Sequence, residues 1–330
     1  MTQQSPKRSP RPGSLGHQFM KILQAVFRPS MSRKHAKQDG RQKPFIMGIN
    51  TMKMYVREMY DLAHFLRKDY PECRSAKDIT PKMIDDFIAA ALKRKLANGT
   101  LGRYQAGIRK LDEAMRHLKL KPAEAPPLLP TMKQGGKRGF RATTSTQTHS
   151  EEQAECILEF IKKYGTKKYG QVTALIVELI LIVGLRISEA VYLRAENIDE
   201  TERIVWLEKN RNRSKGGRPR ETLEYDKAGA AFMSALKRRG EQNPTGHIFK
   251  NRAGLGDQVG NEIRRACTAL GIESLGTHAF RKRNAQDHHA RLMTEGLSDS
   301  EARLQVAKHL GHNRLNVVSE SYVPPQDREV

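Results

Sequence analysis

Apolar residues at helical spacing predict a helical bundle in the first half of the chain. A run that begins near residue 50 places apolar side chains every three or four positions, as on one face of a helix. Thr80 and Pro81 are a cap and first-turn pair that opens a second helix. Asn98 and the glycine after it are predicted to end that helix, and Thr100 opens a third. We therefore predict a small helical bundle over residues 44–121. The apolar positions assigned to it are Met52, Tyr55, Val56, Met59, Leu62, Ala63, Leu66, Ile84, Phe87, Ile88, Ala91, Leu92, Tyr104, Ile108, Leu111, Met115 and Leu118.

The second half of the chain has the pattern of a mostly helical domain with one small sheet. Ser150 is the cap of a helix, and a strongly apolar helix over Val172–Val183 is stopped by Gly184. Ile204–Leu207 and Glu221–Tyr225 are predicted to be the two strands of a hairpin. The rest is predicted to be helical to its end. The fold class is therefore mainly α with a small antiparallel sheet.

Two segments have a composition that cannot supply a packed core. Residues 1–43 carry ten lysines and arginines against one acid, and they are predicted to be a disordered basic arm. Within that arm, Phe19–Phe27 is weakly amphipathic and is interpreted as a transient helix. Residues 122–149 are rich in proline, glycine and basic side chains and are predicted to be an interdomain linker. Residues 150–330 then form a second domain.

The charge of the chain changes this picture, because it indicates a polyanionic partner. The formal net charge is +23 in 330 residues, so nucleic acid is the expected partner, although a basic protein without catalytic activity has the same composition. The three cysteines are far apart in sequence, which favours a reducing cytosol over a disulfide framework or a zinc site. No apolar run is long enough to span a membrane. We therefore expect a cytoplasmic protein without membrane contact.

A first candidate functional motif lies where the apolar helix ends. The segment Gly184–Ala190 places Arg186 just beyond the helix and Glu189 three positions later. Taken alone, such a pair is more often an ordinary ion pair between residues i and i+3 of a helix. The motif gains meaning only together with others.

Three further motifs follow in the C-terminal third. His278 and Arg281 are three positions apart, so a helix brings both side chains to one face. A Leu-Gly-His sequence ends at His312, and Tyr322 stands ten positions later, near the chain end. Each motif can arise by chance. All of them in this order, after a basic helical bundle and a basic linker, are difficult to obtain by accident.

The order and separation of these motifs resemble the signature boxes of the tyrosine recombinase (integrase) family. The resemblance covers roughly residues 44–323, through the motifs in the C-terminal half and through the helix pattern alone in the N-terminal half. It implies a two-domain architecture, with a helical SAM-like core-binding bundle followed by an α+β catalytic domain. It also implies a site-specific recombinase that cuts and rejoins DNA through a 3′-phosphotyrosine intermediate.

The resemblance also implies a role for each motif residue. Arg186 and Arg281 would bind the non-bridging oxygens of the scissile phosphate. His278 and His312 would complete the pocket, and Tyr322 would attack phosphorus. Planar guanidinium groups suit this task, because a phosphodiester is already anionic and gains charge on attack. A phenol with an ordinary pKa of about 10 is mostly protonated at neutral pH, and nearby cations favour its phenolate.

A lysine in the predicted hairpin is expected, by the same resemblance, to protonate the leaving oxygen. Lys215 is our choice because two glycines follow it at the loop tip, and Lys209 remains a competitor. A loop that makes only DNA-backbone contacts is the alternative for this hairpin. Two arginines stabilise the charge on the phosphate without a metal ion, and the phosphotyrosine stores the broken bond. We therefore expect no metal and no cofactor.

The chain departs from the family pattern in two places. His312 and Tyr322 are ten positions apart, one more than the family spacing implies, so the turn before the nucleophile is expected to differ. The separation between the second and third motifs is also long. The extra residues include His288 and His289, which we interpret as surface residues of a lengthened helical hairpin rather than ligands.

Double-stranded DNA is the partner implied by the family, with a homotetramer on two DNA sites and an accessory DNA-bending or directionality factor. Integration or excision of a mobile element is the expected role. A type IB topoisomerase, which relaxes supercoils with the same chemistry, is one alternative. A non-catalytic DNA-binding regulator on the same fold is another, and a helical scaffold protein ranks last. Replacing Tyr322 with phenylalanine separates the enzyme from the binding protein, because only the enzyme would lose a covalent DNA adduct.

Overall fold

Separate hydrophobic cores divide the chain into an N-terminal unit, Met1–Thr143, and a C-terminal unit, Thr144–Val330. The computed structural model describes residues 13–31, 44–129, 147–208, 219–250, 252–312 and 315–323. Within these ranges the chain is mainly helical with one three-stranded antiparallel sheet, which confirms the predicted fold class. None of the described helices is both long and apolar enough to cross a lipid bilayer.

The described part of the N-terminal unit is built from α-helices that bury one apolar face each. Thr80 caps the third of them as predicted, since its hydroxyl accepts from the Met83 amide at 3.3 Å. This helix ends at Lys93, earlier than predicted, because the backbone at Lys95 takes the left-handed conformation. The next helix begins at Asn98 instead of Thr100. The helices are α1 (Leu15–Ala25), α2 (Ile49–Asp69), α3 (Pro81–Lys93) and α4 (Asn98–His117), with a 3-10 turn at Ala76–Asp78.

The prediction of a disordered arm over residues 1–43 is wrong for residues 13–31. Helix α1 lies in this segment, capped by the Ser14 hydroxyl, and packs on α2 and α4. Phe19 and Leu23 are fully buried in the same core as the bundle helices. A short isolated helix is marginal in water, so the packing of this apolar face stabilises it. Residues 1–12 and 32–43 lie outside the described residues.

The predicted linker at residues 122–149 is shorter than expected at both ends. The Arg116 guanidinium donates to the carbonyl oxygens of Pro122, Ala123 and Ala125, and Leu128 is buried in the N-terminal core. Residues 122–129 therefore belong to the N-terminal unit. At the other end, Thr148 and His149 pack onto the C-terminal unit, where the Thr148 hydroxyl donates to the Ala279 carbonyl at 2.6 Å. Residues 130–146 lie outside the described residues.

The core of the C-terminal unit surrounds the helix over Gly170–Val183, which is apolar on almost every side. Ser150 forms a capping box with Gln153 at the start of the preceding helix, as the sequence predicts. The described helices are α5 (Glu151–Tyr164), α6 (Gly170–Val183), α7 (Ile187–Val191), α8 (Lys227–Glu241), α9 (Leu255–Leu270), α10 (Thr277–Thr294), α11 (Asp299–His309) and α12 (Leu315–Ser321), with a 3-10 turn at Ala195–Asn197.

The sheet consists of β1 (Ile198–Asp199), β2 (Ile204–Leu207) and β3 (Arg220–Glu221), in that order and antiparallel. The predicted strand over Glu221–Tyr225 therefore begins one residue earlier and is much shorter. Its ladder ends because the Thr222 side chain accepts the Val205 amide at 2.9 Å in place of a backbone carbonyl. The register pairs Leu207 with Arg220. The Arg220 side chain extends from β3 to Glu189 on α7 and to the His309 carbonyl at the end of α11.

Candidate active site

Arg186 is positioned by the abrupt end of the buried helix α6. Gly184 takes the left-handed conformation at φ +63°, and the chain turns directly into α7 with Arg186 as its N-cap. Glu189 accepts the Arg186 amide at 2.8 Å and also accepts Nη1 of the same residue at 2.8 Å. The i,i+3 ion pair that was the alternative to a phosphate-binding role is therefore present, and it fixes the direction of the guanidinium.

Arg281 is completely buried on the first turns of α10, three residues after His278. One terminal nitrogen donates to the Gly184 carbonyl and the other donates to the Leu310 carbonyl at 2.7 Å. Its Nε donates to the Tyr322 hydroxyl at 3.4 Å. Burial lowers the pKa of the Arg281 guanidinium, and Tyr322 and Glu189 oppose that effect.

Tyr322 follows α12 directly and is buried, with its hydroxyl next to Arg281 and His312. Nε2 of His312 lies 3.2 Å from the Tyr322 hydroxyl, and the His278 ring meets the Tyr322 ring edge-on at 5.3 Å. The main chain is held as well, because Gln286 donates to the Tyr322 carbonyl at 2.8 Å. The hydroxyl is thus supplied by the same chain that supplies Arg281.

The structure brings five of the six sequence-predicted site residues into one cluster, which are Arg186, His278, Arg281, His312 and Tyr322. His278 is the exposed member, and Arg281 is the most buried. The sixth, Lys215, and its competitor Lys209 lie outside the described residues. The assignment of the general acid therefore stays a prediction.

Glu189 is the buried anion at the centre of the cluster. Its carboxylate binds Arg186 at 2.8 Å and Arg220 at 2.6 Å, and it lies 3.6 Å from Arg281. Burial alone would raise the pKa of the Glu189 carboxyl. Arg220, Arg281 and Arg186 outweigh burial and hold that pKa below its usual value. One carboxylate therefore organises three guanidinium groups.

Sequence reasoning missed Arg220, His309 and Asn284, which surround the cluster. Nδ1 of His309 accepts the Leu223 amide at 2.6 Å, so its proton sits on Nε2 and is donated to Oδ1 of Asn284 at 3.0 Å. Burial keeps the pKa of His309 well below 6.5, so the ring is neutral. The one signal in the sequence is a second histidine just before the Leu-Gly-His motif.

The interpretation of His288 and His289 as surface residues is wrong. His288 is buried against the ring of His309, with 4.9 Å between ring centroids. His289 is buried as well, and its Nε2 lies 3.0 Å from the Asp299 carboxylate. Burial lowers the pKa of His288 to about 4. These residues support the packing of α10 and α11 beneath the cluster.

The electrostatics of the cluster keep the His312 ring neutral in the free protein. Burial, followed by the charges of Arg281, Arg186 and Arg220, lowers the pKa of His312 to about 4. An anion bound beside the arginines would raise this pKa towards the range in which a histidine accepts a proton, here from the Tyr322 hydroxyl. The arrangement therefore combines a hydroxyl nucleophile, a neutral base and two guanidinium groups.

Comparison with known proteins assigns the family. The model of the Phage integrase family matches residues 147–329, more than half of the chain. The chain therefore belongs to the Phage integrase family, and it is a DNA strand-transferring tyrosine recombinase by class. No curated protein sequence matches the chain.

Solved structures of recombinases share the fold across both units. XerH recombinase bound to palindromic difH is 16% identical with a TM-score of 0.62, and the match covers 95% of this chain and 91% of that one. A lambda integrase dimer on a core site is 14% identical with a TM-score of 0.60, covering 94% and 78%. The Tn1549 transposon integrase with transposon end DNA is 15% identical with a TM-score of 0.58, covering 94% and 96%.

Proposed function

We propose that this protein is a site-specific recombinase that cuts and rejoins double-stranded DNA with Tyr322 as its nucleophile. The observation that carries the proposal is the position of the Tyr322 hydroxyl, 3.4 Å from Nε of Arg281 and 3.2 Å from Nε2 of His312. A nucleophile, a base and a phosphate-binding cation meet at one oxygen atom. The charge of +23 supports a DNA partner.

Cleavage is a transesterification at one phosphodiester. Arg186 and Arg281 bind the non-bridging oxygens, and the Tyr322 oxygen attacks phosphorus as its proton passes to Nε2 of His312. The bond between phosphorus and the 5′ oxygen breaks, which leaves a 3′-phosphotyrosine and a free 5′-hydroxyl. Lys215 supplies the proton to the leaving oxygen. Charge that develops on the phosphate is stabilised by groups already oriented in the free protein.

Rejoining reverses these steps with a different 5′-hydroxyl. The energy of the broken bond is kept in the phosphotyrosine, so no nucleotide hydrolysis is required. The deprotonated Lys215 removes the proton of the attacking hydroxyl, and His312 returns a proton to the Tyr322 oxygen.

The biological role that we propose is integration or excision of a mobile element by a homotetramer on two DNA sites, with an accessory DNA-bending or directionality factor. The fold shared with a transposon integrase and a phage integrase supports this choice. The tetramer is implied by the family, and it would supply one Tyr322 for each of the four strands of two duplexes.

The test is covalent capture on DNA. The protein is incubated with nicked suicide substrates drawn from the DNA that flanks its gene, and adducts are separated on a denaturing gel. We expect an adduct that Tyr322→Phe abolishes. Tyr164→Phe is the matched control, because Tyr164 lies exposed on α5 and the chemical change is the same. DNA binding by Tyr322→Phe without any adduct from the native protein would favour the non-catalytic regulator.

Two further readouts refine the assignment. Relaxation of a supercoiled plasmid that lacks any recombination site, without exchange between two sites, would favour a type IB topoisomerase. Lys215→Ala and Lys209→Ala are compared for adduct formation. A loss confined to Lys209→Ala would move the general acid to that residue.

A further inference from the structure

Arg220 is a buried cation that the proposed reaction does not use. It lies at the start of β3, and its side chain is 7% exposed. One terminal nitrogen donates to the Glu189 carboxylate at 2.6 Å, and the other donates to the His309 carbonyl. Burial lowers the pKa of Arg220 to about 10, so it remains charged at neutral pH. A buried charge with such specific partners requires an explanation.

The first partner, Glu189, links Arg220 to the catalytic arginines. Oε2 of Glu189 accepts from Arg220 and from the Arg186 amide, and it lies 3.6 Å from Arg281. Without Arg220, the negative charge on this oxygen would attract the Arg281 guanidinium more strongly. Arg281 now donates to Tyr322, and that bond would be disturbed. Arg220 therefore balances Glu189 and leaves Arg281 free to keep its present direction.

The second partner is the main chain just before His312. The His309 carbonyl accepts from Arg220, and Gly311 packs directly on the Arg220 side chain. A Cβ atom at position 311 would lie 2.6 Å from Cδ of Arg220. The turn from Leu310 to His312 therefore packs against the Arg220 side chain. That turn supplies the Leu310 carbonyl to Arg281 and the ring of His312 to Tyr322.

We propose that Arg220 is a positioning residue for DNA cleavage, which uses its two-pronged guanidinium to hold Glu189 and the Leu310–His312 turn in the geometry that Tyr322 requires. The inference rests on the proposed function, because its effect is measured on the cleavage step. Arg220 acts through Arg281 and His312. A simple role in folding would lower stability without separating cleavage from DNA binding.

The test compares cleavage with binding in matched variants. Arg220→Met removes the charge at similar length, and Arg220→Lys keeps the charge without the fork. Single-turnover adduct formation is measured on the nicked substrate, and DNA affinity is measured in the Tyr322→Phe background. We expect Arg220→Met to slow cleavage about a hundredfold, with affinity within about twofold, as misplacement of reacting groups by about 1 Å would do. Arg220→Lys should recover only part of that loss.

Arg265→Met is the matched control, since Arg265 also binds a helix carboxylate, that of Glu262, outside the site. It should cleave at the native rate. A double-mutant cycle with Glu189→Gln tests the route of action. If part of the effect of Arg220 passes through Glu189, Arg220→Met should slow cleavage less in the Glu189→Gln background than in the native protein, and the remaining loss reflects its bond to the His309 carbonyl. Additive losses would contradict this route.

A substrate with sulfur in place of the bridging 5′ oxygen separates Arg220 from the general acid. The thiolate leaves without a proton, so a defect in the leaving-group step is rescued by this substrate. We expect the Arg220→Met defect to persist. Rescue to the native rate would overturn the inference and assign Arg220 to the leaving-group step.

Native cleavage by Arg220→Met or Arg220→Lys would also overturn it. If Arg220→Met fails to bind DNA, cleavage by Arg220→Lys decides, measured in the native and in the Glu189→Gln background. Failure of the proposed function looks different, because the native protein itself would then bind the substrates and form no adduct.

Discussion

Arg186 and Arg281 donate to the same acceptor, the main-chain carbonyl of Leu310, at 3.2 Å and 2.7 Å. Two cations repel each other, so a shared acceptor and the nearby Glu189 carboxylate are what keep them side by side. The pair is therefore assembled before any phosphate arrives. Preorganised donors of this kind lose little free energy to reorientation during the reaction.

Replacement of either arginine by lysine should reduce cleavage severely. A lysine carries the charge but has no planar fork, so it does not present donors to the Leu310 carbonyl and a phosphate oxygen in the fixed geometry of a guanidinium group. We expect Arg281→Lys and Arg186→Lys each to lose about a hundredfold or more in single-turnover adduct formation. Arg239→Lys, which changes an arginine on α8 outside the cluster, is the control. Equal rates in all variants would contradict a phosphate-binding role.

Gly311 should be required for cleavage beyond its cost in stability. Its φ is +67°, where an alanine is strained by about 1 to 2 kcal/mol, and its Cβ would press on Arg220. Gly271→Ala is the control, because Gly271 has φ +69° with no atom near its Cβ position. We expect both variants to lose thermal stability, Gly311→Ala more because its Cβ atom meets Arg220, and a cleavage rate at least about tenfold lower in Gly311→Ala alone. Equal cleavage rates would contradict the steric argument.

Mild acid should destabilise the C-terminal unit. Burial holds the pKa of His288 at about 4 and that of His309 well below 6.5, so the folded state keeps both rings neutral. The unfolded chain binds protons first, so stability is complete above pH 6.5 and falls as the pH drops towards 4. Each histidine contributes at most about 1.4 kcal/mol per pH unit in that window. We expect His288 alone to account for a loss of about 2 kcal/mol in the free energy of unfolding between pH 7 and pH 5, and His309 to add a further loss of the same sign.

Urea titration followed by the fluorescence of Trp206, the single tryptophan, measures this loss in the C-terminal unit. His288→Gln should reduce the pH dependence. His64→Gln, an exposed change on α2 of the other unit, should leave it as it is. A stability that is flat from pH 7 to pH 5 would show that the buried rings are not neutral in the folded protein.

Removal of the α1 anchor should loosen the N-terminal unit. Phe19 is fully buried, and Phe19→Ala should cost about 3 to 5 kcal/mol. Hydrogen exchange in α2 and α4 is the measurement, since α1 packs on both helices. Lys21→Ala, on the exposed side of α1, is the control and should exchange like the native protein. Unchanged exchange in Phe19→Ala would show that α1 does not stabilise the bundle and would favour the interpretation of this segment as a basic arm.

Local spacing explains why much of the catalytic cluster could be predicted. His278 and Arg281 share a helical turn, and Gly184 ends an apolar helix before Arg186, so short-range rules suffice for both. The family resemblance then linked these residues to Tyr322. The two-unit fold and its small sheet followed from periodicity in the same way.

Contacts between distant segments explain what was missed. Arg220 reaches Glu189 across 31 positions of sequence, and His309 reaches the Leu223 amide across 86. No local pattern reports such pairs. The stability of helix α1 was underestimated, because a helix of this length is marginal alone and is stabilised here by packing on α2 and α4. Lys215 stays a prediction, because it lies outside the described residues.

Two of the oxygens around Arg281, at Gly184 and Leu310, belong to peptide groups. A point mutation at Leu310 changes a side chain but leaves that oxygen in place while the main chain keeps its path. The side chains at these two positions are constrained by packing, because Leu310 is fully buried and a Cβ atom at Gly184 would lie 2.2 Å from Oδ1 of Asn284. Selection at Gly184 and Leu310 therefore acts on the path of the main chain, because the group that each residue offers to Arg281 is common to every amino acid.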